Sequence, residues 1–183
     1  MSEIAERYRR VAAQFTERVT SVPEGAWDNP SPCEGWAARD VVRHIVDWMP
    51  GFFHSYAAID FPEGPSVDDD PAKAWAVVND AIQAALDDPD VAGREFDMPM
   101  GRMRLDDAVS MICVGDVLIH TWDLARATGL DETLDADEVH RMVDGIEAMD
   151  EPMRQSGHYG PRVEVPADDD EQTRLIAFTG RRP

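Results

Sequence analysis

Asp40-Val-Val-Arg-His44-Ile-Val-Asp47 and Asp116-Val-Leu-Ile-His120-Thr-Trp-Asp123 share one spacing: an acid, three residues, a histidine, two residues, an acid. Each lies inside an apolar pattern of helical period. A helix turns once per 3.6 residues, so Asp116 and His120 project from one face, one turn apart. Val109, Ile112, Cys113, Val117, Leu124 and Ala127 fall on that face too, which must therefore look into a core. A carboxylate and an imidazole there have to be paired, hydrogen-bonded or bound to a metal, because burying them bare is costly.

The rest of the chain also reads as helix. Ile4, Tyr8, Val11, Ala12, Phe15 and Val19 predict a first helix over about Glu3 to Thr20, stopped by Pro23 and Gly25. A second spans about Ala37 to Ala58 on Val41, Ile45, Trp48, Phe52 and Tyr56, with Pro50-Gly51 expected to kink it. Between them, a loop from Trp27 to Trp36 is pinned by its tryptophans. A polar connector ending in Asp68-Asp-Asp-Pro71 starts a third helix, about Ala72 to Leu86, with negative charge at the positive end of the helix dipole. Arg94 to Leu105 alternates and predicts a small extended excursion or hairpin, kept short and edge-like by Pro99. Asp106 is expected to cap a fourth helix, Asp107 to Thr128, closed by Gly129. A fifth, about Ala136 to Met149, precedes Pro152, and the tail holds an extended Pro161–Pro166 segment and a short helix near Asp170 to Phe178. Helices of four to six turns hide their stripes most simply as a four-helix bundle, so the expected fold is mainly all-α, in one domain over 1–183, with a short C-terminal extension.

Composition excludes some functions. The net charge of −20, from 37 acidic and 17 basic residues, repels phosphate backbones and anionic lipid, so nucleic acid and membrane are not expected partners. No apolar run approaches the roughly 18–20 residues of a membrane span, and the N-terminus lacks the apolar core of a secretory signal, which points to the cytoplasm. Two cysteines, Cys33 and Cys113, are too few and too far apart for a disulfide scaffold or zinc knuckle. Cys113 reads as a packed thiol, while Cys33 lies in a loop open to solvent.

The histidines carry the candidate chemistry. Zinc accepts imidazole nitrogen and carboxylate oxygen, and a catalytic site keeps three protein ligands and one open position. Asp116 and His120 supply two, and His44, flanked by Val41 and Trp48 on the inward side of helix two, is the best third. Asp47 and Asp123, each three residues after its histidine, can accept the other ring N–H and fix the tautomer. Asp40 can instead cap helix two or pair with Arg43 or Arg39. The bland alternatives are a satisfied core histidine at 44 and a structural hydrogen-bonded pair at 116 and 120. His54 is too far along the axis to share an ion with His44, His140 faces solvent, and His158 sits in a loop that can lie over a pocket mouth. Trp48, Trp122, Phe52 and Met49 are either pocket wall or core.

Cys33-Glu-Gly-Trp-Ala-Ala-Arg-Asp-Val-Val-Arg-His44 resembles the C-x-G-W-x-x-x-D-V-x-x-H opening of helix two in the DinB-like metalloprotein superfamily. His120-Thr-Trp-Asp-Leu-Ala-Arg-Ala-Thr-Gly129 and Phe178-Thr-Gly-Arg-Arg-Pro183 resemble its actinobacterial branch, similar to the N-terminal domain of mycothiol-dependent maleylpyruvate isomerase. The resemblance implies a bundle whose second and fourth helices hold a divalent ion (zinc first, nickel as the alternative) on His44, Asp116 and His120. The isomerase usually has Glu where Asp116 stands, so the ion position or coordination is expected to differ. It further implies a low-molecular-weight thiol such as mycothiol, a small-molecule electrophile as substrate, and a homodimer. The expected activity is a metal-dependent thiol transferase or isomerase; the rivals are a non-catalytic metal- or ligand-binding bundle and a metal-dependent hydrolase. The isomerase carries a further C-terminal domain, for which this chain has no room, so the tail after Pro152 is expected to cover the pocket instead.

Overall fold

A computed structural model describes every residue except Met1, Pro99, Met100 and Ser156, and the side chain of Met149 is likewise undescribed. Helix α1 runs Glu3–Ser21, its start capped by Ser2, whose hydroxyl accepts from Ala5 N at 3.1 Å. Helix α2 covers Ala38–Phe52 and α3 covers Pro71–Asp87. The Asp70 carboxylate caps α3 from outside, accepting from Lys73 N at 2.9 Å, while Pro71 takes the first helical position, where a missing N–H costs nothing. After a single turn, α4 (Pro89–Ala92), strands β1 (Glu95–Met98) and β2 (Gly101–Arg104) form an antiparallel hairpin pairing Glu95 with Arg104 and Phe96 with Met103. Pro99, expected to break this excursion, lies outside the described residues.

The fourth long helix is continuous from Leu105 to Thr128 and has three parts: α5 (Leu105–Ala108), a π turn (Val109–Cys113) and α6 (Val114–Thr128). Helices α7 (Ala136–Gln155) and α8 (Glu171–Phe178) complete the chain. α1 packs on α3 and α6, and α2 packs on the same two, so α1, α6, α2 and α3 close a four-membered ring. The stripes meet inside it: Tyr8, Val11 and Phe15 of α1, Val41, Ile45 and Met49 of α2, Trp75 and Ile82 of α3, Val117, Leu118 and Leu124 of α6. Each such side chain, fully buried, contributes about 1.5–3 kcal/mol. The Trp75 indole is not left polar and alone, since its N–H donates to Thr16 Oγ1 at 2.8 Å.

α6 is buried on nearly all sides, packed chiefly between α1 and α2. Buried Glu138 of α7 accepts from Arg7 of α1, at 3.0 Å to Nε, and a Cβ at Gly115 would touch Met142. By length and composition Leu105–Thr128 is apolar enough to cross a membrane, but that apolar surface is spent on packing within the protein.

Two local expectations need correcting, the Asp106 cap and the end of the fifth helix. α2 runs through Pro50 to Phe52 and then widens into a π turn, Phe53–Ala57, ending on Ala58 at φ 52°, so the helical stretch reaches its expected end. A proline removes one N–H and crowds the carbonyl four residues back, and the register slackens just beyond it. Asp106 does not cap the fourth helix. Arg104 occupies the cap, and Asp106 sits buried in the first turn, where it pairs with Arg104 (2.9 and 2.7 Å) and accepts from Asp107 N at 2.9 Å. Helix α7 does not stop before Pro152 but runs through it to Gln155. The Pro161–Pro166 segment stays outside any helix, and Val163 N donates to Ala177 O at 3.0 Å, which lays it along α8.

Candidate metal centre

Helices α2 and α6 are neighbours, and they face His44 and His120 toward each other with ring centroids 4.8 Å apart. Asp116 stands between them. His44 Nε2 lies 3.5 Å from its Oδ2, and His120 Nε2 lies 3.5 Å from its Oδ1. One ligand atom from each of the three residues falls within 4.8 Å of the others. The π turn Val109–Cys113 ends just before this segment; the extra residue it accommodates sets the rotation at which Asp116 and His120 leave α6.

The two histidine contacts to Asp116 are long for hydrogen bonds. A contact of 3.5 Å is long for an N–H···O bond between charged partners, which closes to about 2.7–2.9 Å. Donors about 2.0–2.1 Å from a tetrahedral ion sit about 3.3–3.4 Å from one another; the imidazoles stand 3.5 Å from Asp116, each against a different oxygen, His44 on Oδ2 and His120 on Oδ1. Two neutral nitrogens and one carboxylate are also the donor set that zinc and nickel accept.

Neighbouring side chains hold the three residues in place. The Asp123 carboxylate, with no exposed surface, accepts from His120 Nδ1 at 2.9 Å, so that nitrogen carries the hydrogen and Nε2 is turned toward Asp116. Trp48 Nε1 donates to Asp116 Oδ2 at 3.0 Å. Trp36 lays its ring over both imidazoles, 5.1 Å from His44 and 5.9 Å from His120, stacked on the latter. It is delivered by the turn Cys33–Trp36, closed by Trp36 N to Cys33 O at 3.0 Å, with Gly35 at φ 78° where a side chain would be strained. Asn29 ties the same loop to α6 by donating to Ala127 O at 3.0 Å.

Asp123 also meets two groups from distant sequence. Arg181, in the segment after α8, donates Nε to Oδ1 at 2.6 Å and Nη2 to Oδ2 at 2.7 Å, and Cys33 Sγ lies 3.4 Å from Oδ2. Cys33, His120 and Asp123 thus form a second group of ligand-type atoms that shares His120 with the first.

The electrostatics follow from this packing. Burial works against the Asp116 charge, but the two imidazoles and the Trp48 N–H hold its pKa below the usual carboxylate value. Burial opposes the His120 cation as well, yet the field of Asp116 and the hydrogen bond to Asp123 raise it to about 10 in the metal-free protein. Asp123, also opposed by burial, is brought down to about 2 by His120 and Arg181. The Cys113 thiol, fully buried, is pushed well above its ordinary range by desolvation.

The structure does not bring Asp47 to the centre. Its side chain is exposed and lines a groove with Arg43, Pro50 and Pro65 between α2 and the connector. On α2 the position three residues after the histidine faces solvent, whereas on α6 it faces the interior. Asp40 reaches back to accept from Ala37 N at 2.9 Å and takes Arg43 Nε at 3.3 Å, so it starts α2. His54 is exposed against Asp60, and His140 against Glu171. His158 is exposed; the residue of that loop that turns inward is Tyr159, whose phenol is raised by burial and feels Arg181 and Asp116. Met49, Phe52 and Trp122 belong to the core, and only Trp48 of the four candidates touches a ligand. Sequence reasoning gave Trp36 only the pinning of its loop and gave Cys33 and Arg181 no place at the centre, although all three lie in the motif segments.

A family model described as the mycothiol maleylpyruvate isomerase N-terminal domain matches residues 8–125. The chain belongs to that family. As a member of the isomerase N-terminal domain family, the chain shares its match with α1, α2, α3 and nearly all of α6, and the mainly helical DinB-like bundle agrees with it. Two relatives from Mycobacterium tuberculosis, strains CDC 1551 / Oshkosh and ATCC 25618 / H37Rv, are both described as uncharacterized proteins. Each is 28% identical over 182 residues, covering 95% of this chain and 95% of the relative. No solved structure gives a significant match. The family match takes in His44, Asp116, His120 and Asp123 and ends before α7, α8 and Arg181.

Proposed function

We propose that this protein holds a divalent cation, zinc first and nickel as the alternative, on His44, Asp116 and His120, and uses it as a thiol transferase or isomerase. Its partners are a low-molecular-weight thiol of the mycothiol type and a small electrophile. The observation that carries this reading is one carboxylate set between two imidazoles from separate helices, with the far nitrogen of His120 already taken by Asp123.

A bound dication lowers the pKa of a thiol brought to it and so supplies a thiolate at neutral pH. The chain's own groups do the remainder. Asp123 keeps the hydrogen of His120 on Nδ1, and Trp48 fixes the rotation of the Asp116 carboxylate. Trp36 shields the imidazoles on one side, while His44 and Asp116 keep 29% and 23% of their side chains open on the other, which is where a ligand enters. Trp48, backed edge to face at 5.9 Å by the core residue Phe52, offers an apolar surface beside Asp116.

The test starts with elemental analysis of protein purified without a histidine tag or chelator, followed by incubation with zinc or nickel, mycothiol and a panel of electrophiles while thiol consumption is followed. Stoichiometric metal that His120→Ala abolishes, with metal-dependent thiol loss, supports the proposal. Metal without turnover across a broad panel identifies a binding protein instead. Turnover of esters or amides without thiol identifies a hydrolase. A His120→Ala protein that still takes up one ion equally well removes this site from consideration.

A further inference from the structure

We infer that Arg181 is a positioning residue of the metal centre: it locks Asp123 so that His120 gives Nε2 to the ion, and its charge closes the Cys33 side of that imidazole to cations. The inference rests on the metal reading above.

Asp123 is wholly buried and Arg181 is 11% exposed, so this is an interior pair, not a solvated surface bridge. The guanidinium is a rigid planar fork, and its two bonds, 2.6 Å to Oδ1 and 2.7 Å to Oδ2, fix the carboxylate plane as a single ammonium cannot. With that plane fixed, Oδ2 is aimed at His120 Nδ1, and the ring is turned so that Nε2 faces Asp116 and His44.

The aim of Arg181 is itself built in. Thr179 is buried, and Arg181 N donates to Ile176 O at 3.3 Å. Arg154 of α7 grips the carbonyls of Gly160 and Phe178. Gly180 and Gly160 then press together backbone to backbone. A segment fastened at this many points delivers its next side chain to one place.

The same arrangement decides between the two overlapping ligand groups. Cys33, His120 and Asp123 lie as close together as His44, Asp116 and His120 do. Arg181 already neutralises the group that includes Cys33, with Nη2 3.4 Å from Cys33 Sγ as well as bonded to Asp123, and a dication there would meet a fixed positive charge. The charged groups that act on Asp116 are instead the titratable imidazoles of His44 and His120, which can release a proton when an ion binds, as a guanidinium cannot. The ion is directed to the side of His120 that faces α2.

Cobalt(II) tests this directly, because a cysteine ligand gives it a sulfur charge-transfer absorption that nitrogen and oxygen ligands do not. Cobalt affinity and spectrum are measured on the full chain for the wild type, Arg181→Ala, Arg181→Lys, Asp123→Asn and the double variant Arg181→Ala/Asp123→Asn, with circular dichroism to check folding. The wild type should bind without the sulfur band. Arg181→Ala should lose about 10–100-fold in affinity, the range typical for partners that orient a metal ligand, and Arg181→Lys should fall between the two. In the Asp123→Asn background the Arg181→Ala loss should vanish, since the arginine acts through that carboxylate.

A sulfur band in the wild type that Cys33→Ser removes, an unchanged affinity in folded Arg181→Ala, or an equal loss with Asp123 replaced would each overturn the inference. If Arg181→Ala does not fold, Arg181→Lys decides, and full wild-type affinity in it overturns the inference too. Wild-type protein that takes up no cobalt, zinc or nickel instead sinks the metal reading, and the role of Arg181 with it; any of the preceding failures leaves the metal reading standing.

Discussion

The indole N–H of Trp48 donates to Asp116 Oδ2 at 3.0 Å, one turn along α2 from His44. The same helix therefore supplies one ligand and orients another, across the α2–α6 contact. Trp48→Phe keeps an aromatic ring in contact with Phe52 but leaves that oxygen without its donor. The expected result is a metal affinity lower by about tenfold with an unchanged thermal midpoint, read by competition against a chromophoric chelator. An unchanged affinity would show that Asp116 is held well enough by the imidazoles alone.

Asp47 and Asp123 follow their histidines at the same offset, and only Asp123 reaches an imidazole. Asp47→Ala should therefore leave metal content untouched and shift stability by no more than about 0.5 kcal/mol, as an exposed substitution does. Asp123→Asn should weaken metal binding, because the amide keeps an acceptor for His120 but loses the charge that Arg181 clasps. Side-by-side urea unfolding and metal titration separate the two, and a metal loss in Asp47→Ala would contradict its placement.

The two thiols differ in access. Cys113 is fully buried and its thiol is held protonated by desolvation, whereas Cys33 is half-buried in the loop before α2. A thiol reagent added to native protein should titrate one group, mapped by mass spectrometry to Cys33, and the second only after denaturation. Rapid reaction of both under native conditions would mean that the α6 core opens far more readily than its packing implies.

How much of this was legible in the chain depended on how local the cause was. α1, α3 and α8 could be read closely because a cap such as Asp70 or Asp170 and an apolar stripe lie within one short window. The His44, Asp116 and His120 grouping was legible for the same reason, since one-turn spacing and inward flanks are properties of a few residues. The π turn before Asp116 was not, because an α and a π turn carry the same residue types and differ by which carbonyl each N–H finds. Nor was the clasp on Asp123, whose partners stand 90 and 58 residues away. Asp47 misled because the octapeptide repeat describes helix geometry and says nothing of what packs against each helix.

Away from the centre, His140 of α7 sets Nδ1 3.1 Å from both oxygens of Glu171 at the start of α8. That hydrogen bond, with the charges of Glu171 and Asp144, raises the His140 pKa above its ordinary value. A group raised on folding contributes stability that is fully present below its unfolded pKa, about 6.5, and is lost as pH climbs through the higher folded value. Docking of α8 on α7 should weaken slightly across that window. NMR titration of the His140 ring should give a pKa above 6.5 that Glu171→Gln returns toward it, and an unshifted value in the wild type would show the pair to be open in solution.

Gly180 has φ 92°, and a Cβ built on it would sit 2.7 Å from Gly160 Cα. Both obstacles are backbone, so no side chain can swing aside to relieve them. Gly180→Ala should cost about 1–3 kcal/mol through the positive φ and the contact together. The strain falls one residue before Arg181, so the segment is expected to lift and release its hold on Asp123 along with Cys33. Limited proteolysis should then cut after Arg174 or Arg181 faster than in the wild type, and urea unfolding should show the lower midpoint. A variant as resistant and as stable as the wild type would mean that the two glycines do not press together in solution and that the tail reaches Asp123 without being fastened there.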